Sequence, residues 1–217
     1  DYGINRWKRF TQKFTPYFLG TESHVPKQDR AYQIGITSQK NIICYVKERG
    51  LFYFDEQQQE FIRLENKLPN NIKKFVIDSK NYLVFLTEEG KLYLYFFTFD
   101  KSKPLLSFIK TIEHPEAIST IYLTDESFIA DSGHSITIFS NYIPQRTINL
   151  PRGKTVSKII QQKNLLFISF IEGECMKYNL EDGSEEKLSN LPEKISISTI
   201  YKSSQDVLWI GTDGQGI

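Results

Sequence analysis

The clearest structural signal in the chain lies in its last eleven residues, Val207-Leu208-Trp209-Ile210-Gly211-Thr212-Asp213-Gly214-Gln215-Gly216-Ile217. Residues 207–210 form an unbroken apolar run with a β-branched and aromatic bias, which suits a strand buried on both faces. Residues 211–216 then supply three glycines and an aspartate, the composition of a tight turn with positive φ angles. The stretch therefore predicts a strand, a glycine turn and the start of a second strand.

The same unit recurs along the chain. Its first strand carries an apolar residue, two spacer residues and a second apolar residue. Five such tetrads occur, at 31–34, 72–75, 118–121, 156–159 and 197–200. Their leading residues are 41, 46, 38 and 41 positions apart. A step of about 40–45 residues is typical of a β-propeller blade, which has four strands.

Three further predicted strands follow the tetrads. The second is an apolar run, found at 42–45, 83–86, 128–130, 165–168 and 207–210. The third is aromatic and aliphatic, found at 51–54, 92–97, 136–139 and 175–178. The fourth includes charged side chains, found at 60–64, 105–109, 145–150 and 185–188. Charges fit the outer edge of a blade, where they deter unwanted pairing.

We therefore predict an all-β protein, a β-propeller built of four-stranded antiparallel blades, with about five blades' worth of chain. Residues 1–217 are expected to form a single domain or segment, because no linker divides the repeat. Complete blades are expected at 31–66, 72–110, 118–150 and 156–191, with half-blades at 1–19 and 197–217. A β-sandwich is the competing interpretation, but it does not predict one four-strand pattern at a near-constant step.

Composition narrows the functional classes. The 217 residues carry a net charge of +1 with both signs interspersed, which gives no support for binding nucleic acid or an anionic membrane. The longest strongly apolar stretch, residues 92–99, is far shorter than the ~20 residues that span a bilayer. We expect no direct membrane insertion of this segment. The missing initial Met favours the removal of upstream sequence.

The two cysteines, Cys44 and Cys175, fall three repeat units apart, so we expect no disulfide between them. Each is interpreted as a small buried hydrophobic residue. Unpaired thiols fit a reducing compartment slightly better than an oxidising one.

The sequence contains no recognisable catalytic constellation. Its three histidines, His24, His114 and His134, lack the spacing of a metal site. No Gly-x-Ser-x-Gly elbow is present. The glycines at 211–216 lack the Lys-Ser/Thr pair of a phosphate-binding loop and join strand to strand. We therefore expect no catalytic residue, no metal and no cofactor in this segment.

One surface is a candidate ligand site. In a propeller, loops from the fourth strand to the next first strand, and from the second strand to the third, gather on one face around the axis. Here they supply Arg30, Arg49, His134, Arg152 and Asp213. Such a rim would suit a polar ligand, and solvated loop residues are the alternative. Tyr142 is the loop aromatic that would stack on a ligand, whereas Trp209 is expected in the core between blades.

The terminal stretch resembles the two-component regulator propeller repeat, whose pattern is Leu-Trp-Ile-Gly-Thr, a short turn and Gly-Leu. Residues 3–7, Gly-Ile-Asn-Arg-Trp, and 13–17, Lys-Phe-Thr-Pro-Tyr, resemble the second half of that repeat. Between the chain ends the match is looser: residues 42–55 and 83–95 keep the shape but lack Trp-Ile-Gly-Thr. The resemblance implies the periplasmic sensor region of a membrane-anchored bacterial hybrid histidine kinase.

The functional hypothesis that follows is a non-catalytic propeller region that recognises an oligosaccharide and passes the signal to a kinase outside this segment. A homodimer formed through the parent receptor is a further implication. A scaffold propeller that binds another protein is the alternative, and a glycan hydrolase or lyase propeller is a weaker one. The half-blades allow either a closed five-bladed ring or an arc of a larger propeller, and we favour the arc.

Overall fold

The computed structural model describes residues 4–8, 13–17, 31–65, 67–100, 103–124, 127–188, 197–203 and 207–212. Regular structure in these residues consists of twenty β-strands in six sheets. Across the described ranges no helix is long and apolar enough to cross a membrane. The chain divides into two compact units, residues 1–88 with 92–111, and residues 89–91 with 112–217.

The first unit contains one two-stranded sheet and two four-stranded sheets. The small sheet pairs β1 (Ile4–Lys8) with β2 (Lys13–Tyr17). Blade A consists of β3 (Ala31–Ile36), β4 (Ile42–Val46), β5 (Gly50–Asp55) and β6 (Glu60–Arg63). Blade B consists of β7 (Ile72–Ile77), β8 (Tyr82–Thr87), β9 (Leu92–Asp100) and β10 (Lys103–Ile112).

The second unit has the same composition in reverse order. Blade C consists of β11 (Thr120–Leu123), β12 (Ser127–Asp131), β13 (Ser135–Ser140) and β14 (Ile143–Asn149). Blade D consists of β15 (Val156–Gln162), β16 (Leu165–Phe170), β17 (Cys175–Asn179) and β18 (Glu185–Lys187). The small sheet pairs β19 (Ile197–Lys202) with β20 (Leu208–Thr212).

Each four-stranded sheet is an antiparallel meander whose strands follow chain order. This is the topology of a propeller blade, so the predicted fold class is confirmed. The β1–β2 and β19–β20 pairs are two separate two-stranded sheets. The single domain and the choice between ring and arc stay predictions.

Burial falls from the inner strands to the outer strand of each blade. In blade D, five of the six residues of β16 are buried, whereas all three residues of β18 are exposed. Blade B departs from the expected polar edge, because its long outer strand exposes three large apolar side chains, Leu105, Phe108 and Ile109. The edge pattern is therefore general but not uniform.

A β-bulge explains the apolar tetrads. Strict alternation would place residues i and i+3 of a strand on opposite faces. Yet Ile72 and Phe75 are both buried, and so are Ile197 and Ile200. The register shifts inside these tetrads, between Ile72 and Lys74 in β7, and at the same place in β3, β15 and β19. The extra residue of a bulge resets the alternation, and in β7, β15 and β19 both apolar residues of the tetrad are buried. The tetrad of β3 differs, because Ile34 is exposed.

Each unit has a core between its two blades. In the first unit, Ile43 and Tyr45 of blade A pack with Phe75 and Phe85 of blade B. Gly35 permits this close approach, because a Cβ built there would lie 2.8 Å from Cγ2 of Ile77. In the second unit, the core contains apolar side chains from both blades, among them Ile129, Ile136, Ile159 and Ile168. Cys44 and Cys175 are free, buried thiols, as predicted.

The prediction that Trp209 is buried between blades is wrong. Its side chain is 52% exposed, and its cross-strand partner Tyr201 is exposed too. The neighbouring residues Leu208 and Ile210 point to the other face, where they pack on a cluster that includes Phe167 of blade D. Within the described residues only that one face of β20 is covered.

Candidate functional site

The structure places three of the five predicted rim residues in the expected turns. Arg49 lies between β4 and β5, in the first unit. His134 lies between β12 and β13, and Arg152 between β14 and β15, both in the second unit. The main-chain N–H of Leu150 donates to the carbonyl of His134 at 2.8 Å, so these two turns occupy one end of blade C. Arg30 and Asp213 lie outside the described residues.

Arg49 borders a cleft of about 510 Å³ in the first unit. The β4–β5 turn forms one wall, Arg63 at the end of β6 contributes a second, and the connection from Leu68 to Ile72 forms a third. Both kinds of loop that were expected to form the rim therefore meet here, around one blade. We take this cleft as the candidate functional site and call it the blade A cleft.

The charged lining of the blade A cleft consists of three cations, Lys47, Arg49 and Arg63, and one carboxylate, that of Glu48. The guanidinium carbon of Arg49 lies 5.9 Å from the centroid of the Phe52 ring, a cation–π distance. Lys47 and Arg63 make no ion pair with any residue that the structure describes. The charges of Lys47 and Arg63 are therefore not neutralised by an ion pair with any described residue.

The backbone of the cleft is held in unusual conformations. Glu48, Gly50 and Asn71 all have positive φ angles, of 68°, 101° and 51°. A positive φ angle is costly for a residue other than glycine, and such angles concentrate at binding loops. A Cβ built at Gly50 would lie 3.8 Å from Nε of Arg63, so that the guanidinium packs directly over this glycine. The turn and the arginine thus form a shaped wall.

The equivalent turn of blade D has a different charge. Glu172 accepts the main-chain N–H of Thr155, with a shorter distance of 3.0 Å. Glu174 accepts Nζ of Lys187 at 3.0 Å and lies 3.2 Å from Nζ of Lys154. Bonds from these two lysines lower the pKa of the Glu174 carboxyl. This turn is acidic and locally neutralised, unlike the turn of blade A.

His134 belongs to a small polar cluster in the second unit. Its Nε2 lies 2.9 Å from Oε1 of Glu116, and Ser135 donates to the other carboxylate oxygen at 3.4 Å. The hydrogen bond from His134 lowers the pKa of the Glu116 carboxyl. His114, two residues before Glu116, contacts the Thr137 hydroxyl at 3.0 Å through Nε2. Among the described residues, no group of three or more His, Cys, Asp or Glu side chains could hold a metal ion.

A second cleft, of about 460 Å³, lies where β5 turns toward β6. Its lining includes Asn41, Tyr53, Asp55 and Phe99. The Tyr53 hydroxyl donates to Asp55 at 3.1 Å, and the Tyr53 and Phe99 rings meet edge to face at 6.1 Å. Main-chain N–H groups, that of Gln58 first, lower the pKa of the Asp55 carboxyl. Because the Asp55 carboxylate already accepts hydrogen bonds from the backbone of its own turn, we rank the blade A cleft first as the candidate site.

Sequence reasoning missed Lys47 and Arg63. Arg63 lies fourteen residues after Arg49 and reaches the cleft only through the pairing of β5 with β6, in which Phe52 faces Arg63. Lys47 had an available signal, since residues 47–50 read Lys-Glu-Arg-Gly where residues 88–90 and 172–174 are Glu-Glu-Gly and Glu-Gly-Glu. The basic character of one turn in four marks it as different.

Comparison with known proteins gives a structural match without a sequence match. No protein-family model matches the chain, and no curated protein matches its sequence. The chain is similar in structure to the crystal structure of an extracellular domain from B. thetaiotaomicron assigned to a hybrid two component system, with a TM-score of 0.71 and 11% identity. That match covers 97% of this chain and 30% of the other, so the chain spans less than a third of its neighbour. In all, 918 solved chains match it, so the fold alone selects no function.

Proposed function

We propose that this chain is a ligand-sensing propeller region of a hybrid two-component sensor, outside the cytoplasmic membrane. The observation that carries the proposal is the structural similarity, over 97% of the chain, to an extracellular domain of such a system. The Leu-Trp-Ile-Gly-Thr stretch at 208–212 supports it independently, because it resembles the repeat of the same class of sensor. The ligand is an oligosaccharide, and the kinase that reads the signal lies outside this segment.

In this proposal the segment binds its ligand and performs no chemistry on it. Two carboxylates support a binding role because they are already engaged: Asp55 lines the second cleft, and Glu116 lies beside the predicted rim residue His134 in the second unit. Asp55 accepts N–H groups of its own turn, and Glu116 is bound to His134. A general acid or base instead needs free access to its substrate. The proposal also includes a parent receptor in the inner membrane, with this region in the periplasm. The working form of that receptor is a homodimer.

The experiment is a thermal shift measurement of the pure chain against a panel of oligosaccharides. A ligand present at 100 times its Kd should raise the free energy of unfolding by about 2.7 kcal/mol. We expect at least one oligosaccharide to raise the melting temperature in a saturable manner, and its component monosaccharides to have a smaller effect. Stabilisation by none of the panel, together with capture of a defined protein partner, would instead favour the scaffold alternative.

A further inference from the structure

We propose that the blade A cleft binds the anionic group of a sugar, a carboxylate or a sulfate, through Arg49, Arg63 and Lys47. This inference rests on the proposed sensing function and adds the chemical class of the ligand and the place where it binds. Neither the resemblance nor the structural match indicates that the sugar is anionic or that it binds in this cleft.

The blade A cleft has a local excess of positive charge. Three cationic side chains and one carboxylate line a single cleft, while the whole chain has a net charge of only +1. The positive charge is therefore local. These cations would attract an anion in a concave site where solvent screening is reduced.

The two arginines of the cleft are positioned by their contacts with β5. Arg63 faces Phe52 in the β5–β6 register, and its guanidinium lies over Gly50. Arg49 is held within cation–π distance of the same Phe52 ring. One guanidinium group is thus held near the Phe52 ring and the other over Gly50, two residues earlier on β5, before any ligand arrives. Because guanidinium forks bind carboxylate and sulfate oxygens in pairs, this arrangement suits an oxyanion better than a neutral hydroxyl.

The remaining lining and the size of the cleft suit a sugar. Asn70 and Asn71 border the cleft, and amide side chains can both donate to and accept from sugar hydroxyls. A volume of about 510 Å³ lies within the usual ~300–1,000 Å³ of small-ligand sites. An extended polyanion such as nucleic acid would need a basic surface that continues beyond the cleft, and the chain has no basic run to supply one. A short acidic oligosaccharide fits both charge and size.

The test compares three ligands of matched ring type: a galacturonic acid trisaccharide, a sulfated galactose trisaccharide and the neutral galactose trisaccharide. Each is titrated into the ¹⁵N-labelled chain in 50 mM salt, with Kd taken from the amide shifts. We expect shifts at residues 47–50 and 63, and binding of a charged trisaccharide at least tenfold tighter than that of the neutral one. Repetition in 200 mM salt should weaken the charged ligand alone. The carboxylated and sulfated arms distinguish the two anion sources.

Variants make the assignment specific. Arg49→Gln and Arg63→Gln should each weaken the charged ligand about tenfold or more, as expected for the loss of a charge-assisted hydrogen bond. Lys110→Gln, an exposed lysine of β10 in the same unit, is the matched control and should change Kd less than about twofold. If one arginine variant fails to fold, as judged by its melting curve, the other and Lys47→Gln decide the question.

Two results would overturn the inference, and they differ in what they say of the proposed function. Equal affinity for neutral and charged trisaccharides, unaffected by the arginine variants, would leave an oligosaccharide sensor that does not use this cleft for anions. Binding of no trisaccharide in the series would contradict the inference, and if the thermal shift panel were also negative it would contradict the sensing function itself.

Discussion

The side-chain oxygen of Gln33 accepts a 2.6 Å hydrogen bond from the main-chain N–H of Phe75. Its amide nitrogen donates to the carbonyl of Lys73 at 3.1 Å. Gln33 lies on the first strand of blade A, and both partners lie on the first strand of blade B, at the bulge in the β7 tetrad. Because β7 is an edge strand that pairs with β8 alone, one side chain satisfies two backbone groups on the open side of β7.

Replacement of Gln33 should therefore destabilise the first unit. We expect Gln33→Ala to lower the free energy of unfolding by about 1–3 kcal/mol, because the Phe75 N–H and the Lys73 carbonyl lose their partner. Gln161→Ala is the matched control and should cost less than about 0.5 kcal/mol, since among the described residues the Gln161 side chain bonds only the nearby carbonyl of Lys163. Urea unfolding measures the loss of unfolding free energy in both variants, and equal losses would contradict this role of Gln33.

Asn81 makes a second connection between blades A and B. Its side chain accepts the N–H of Ser38 at 2.7 Å and donates to Gln39 at 2.8 Å, and its φ angle is 66°. Asn81→Ala removes both bonds and strains the backbone, so we expect a loss of about 2–4 kcal/mol. Asn81→Gly removes the bonds alone and should cost about 1 kcal/mol less than Ala. A larger loss for Gly than for Ala would show that the φ angle is not the constraint.

Trp209 gives a contrast with a truly buried aromatic residue. We expect Trp209→Ala to cost less than about 2 kcal/mol, because only part of its surface is removed from water. Phe85→Ala, at a fully buried position, should cost about 3–5 kcal/mol. Acrylamide quenching of Trp209, measured as the difference between wild type and Trp209→Phe, should report an accessible indole. A shielded indole would contradict the structure of the β19–β20 sheet.

The buried thiols predict a dependence of stability on pH. Burial raises the pKa of Cys44 and of Cys175 to about 11, from the ordinary value of 9.0. Between pH 9 and pH 11 the unfolded chain loses these protons while the folded chain keeps them, so the free energy of unfolding falls as pH rises. The loss should be on the order of 2 kcal/mol per thiol by pH 11.

The double variant Cys44→Ala, Cys175→Ala isolates this effect from the titration of tyrosines. Its unfolding free energy should fall less steeply between pH 9 and pH 11 than that of the wild type. Below pH 9 the two slopes should agree. Parallel slopes across the whole range, or rapid labelling of the native thiols by a thiol reagent at pH 7.5, would show that the cysteines are accessible.

Much of the fold could be predicted from the sequence because the same pattern of strands recurs in each repeat unit. Apolar runs such as residues 83–86 and 165–168 became β8 and β16, since burial on both faces requires an unbroken apolar strand. The bulges were not foreseen, although the two-residue spacing of the tetrads is their signature. Trp209 was misplaced because one strand's composition does not reveal whether a neighbouring sheet covers both of its faces.

The candidate site was only partly predictable. Arg49 was found because turns between second and third strands can be located from the repeat. Arg63 was not, since its position beside Gly50 depends on the β5–β6 register and on the direction of a long side chain. Loop charge, compared between blades, is the sequence signal that would have distinguished this turn from those of the other blades.

The most direct test of a non-catalytic sugar-binding region is calorimetric titration of the pure chain with the oligosaccharide that gives the largest thermal shift. Mass spectrometry of the ligand recovered afterwards completes the measurement. We predict saturable heat of binding with one site per chain and a recovered ligand of unchanged mass. A recovered ligand that is shorter, or that carries the product of an elimination reaction, would contradict the account by showing catalysis. The absence of any binding heat at two temperatures would contradict it by showing no recognition.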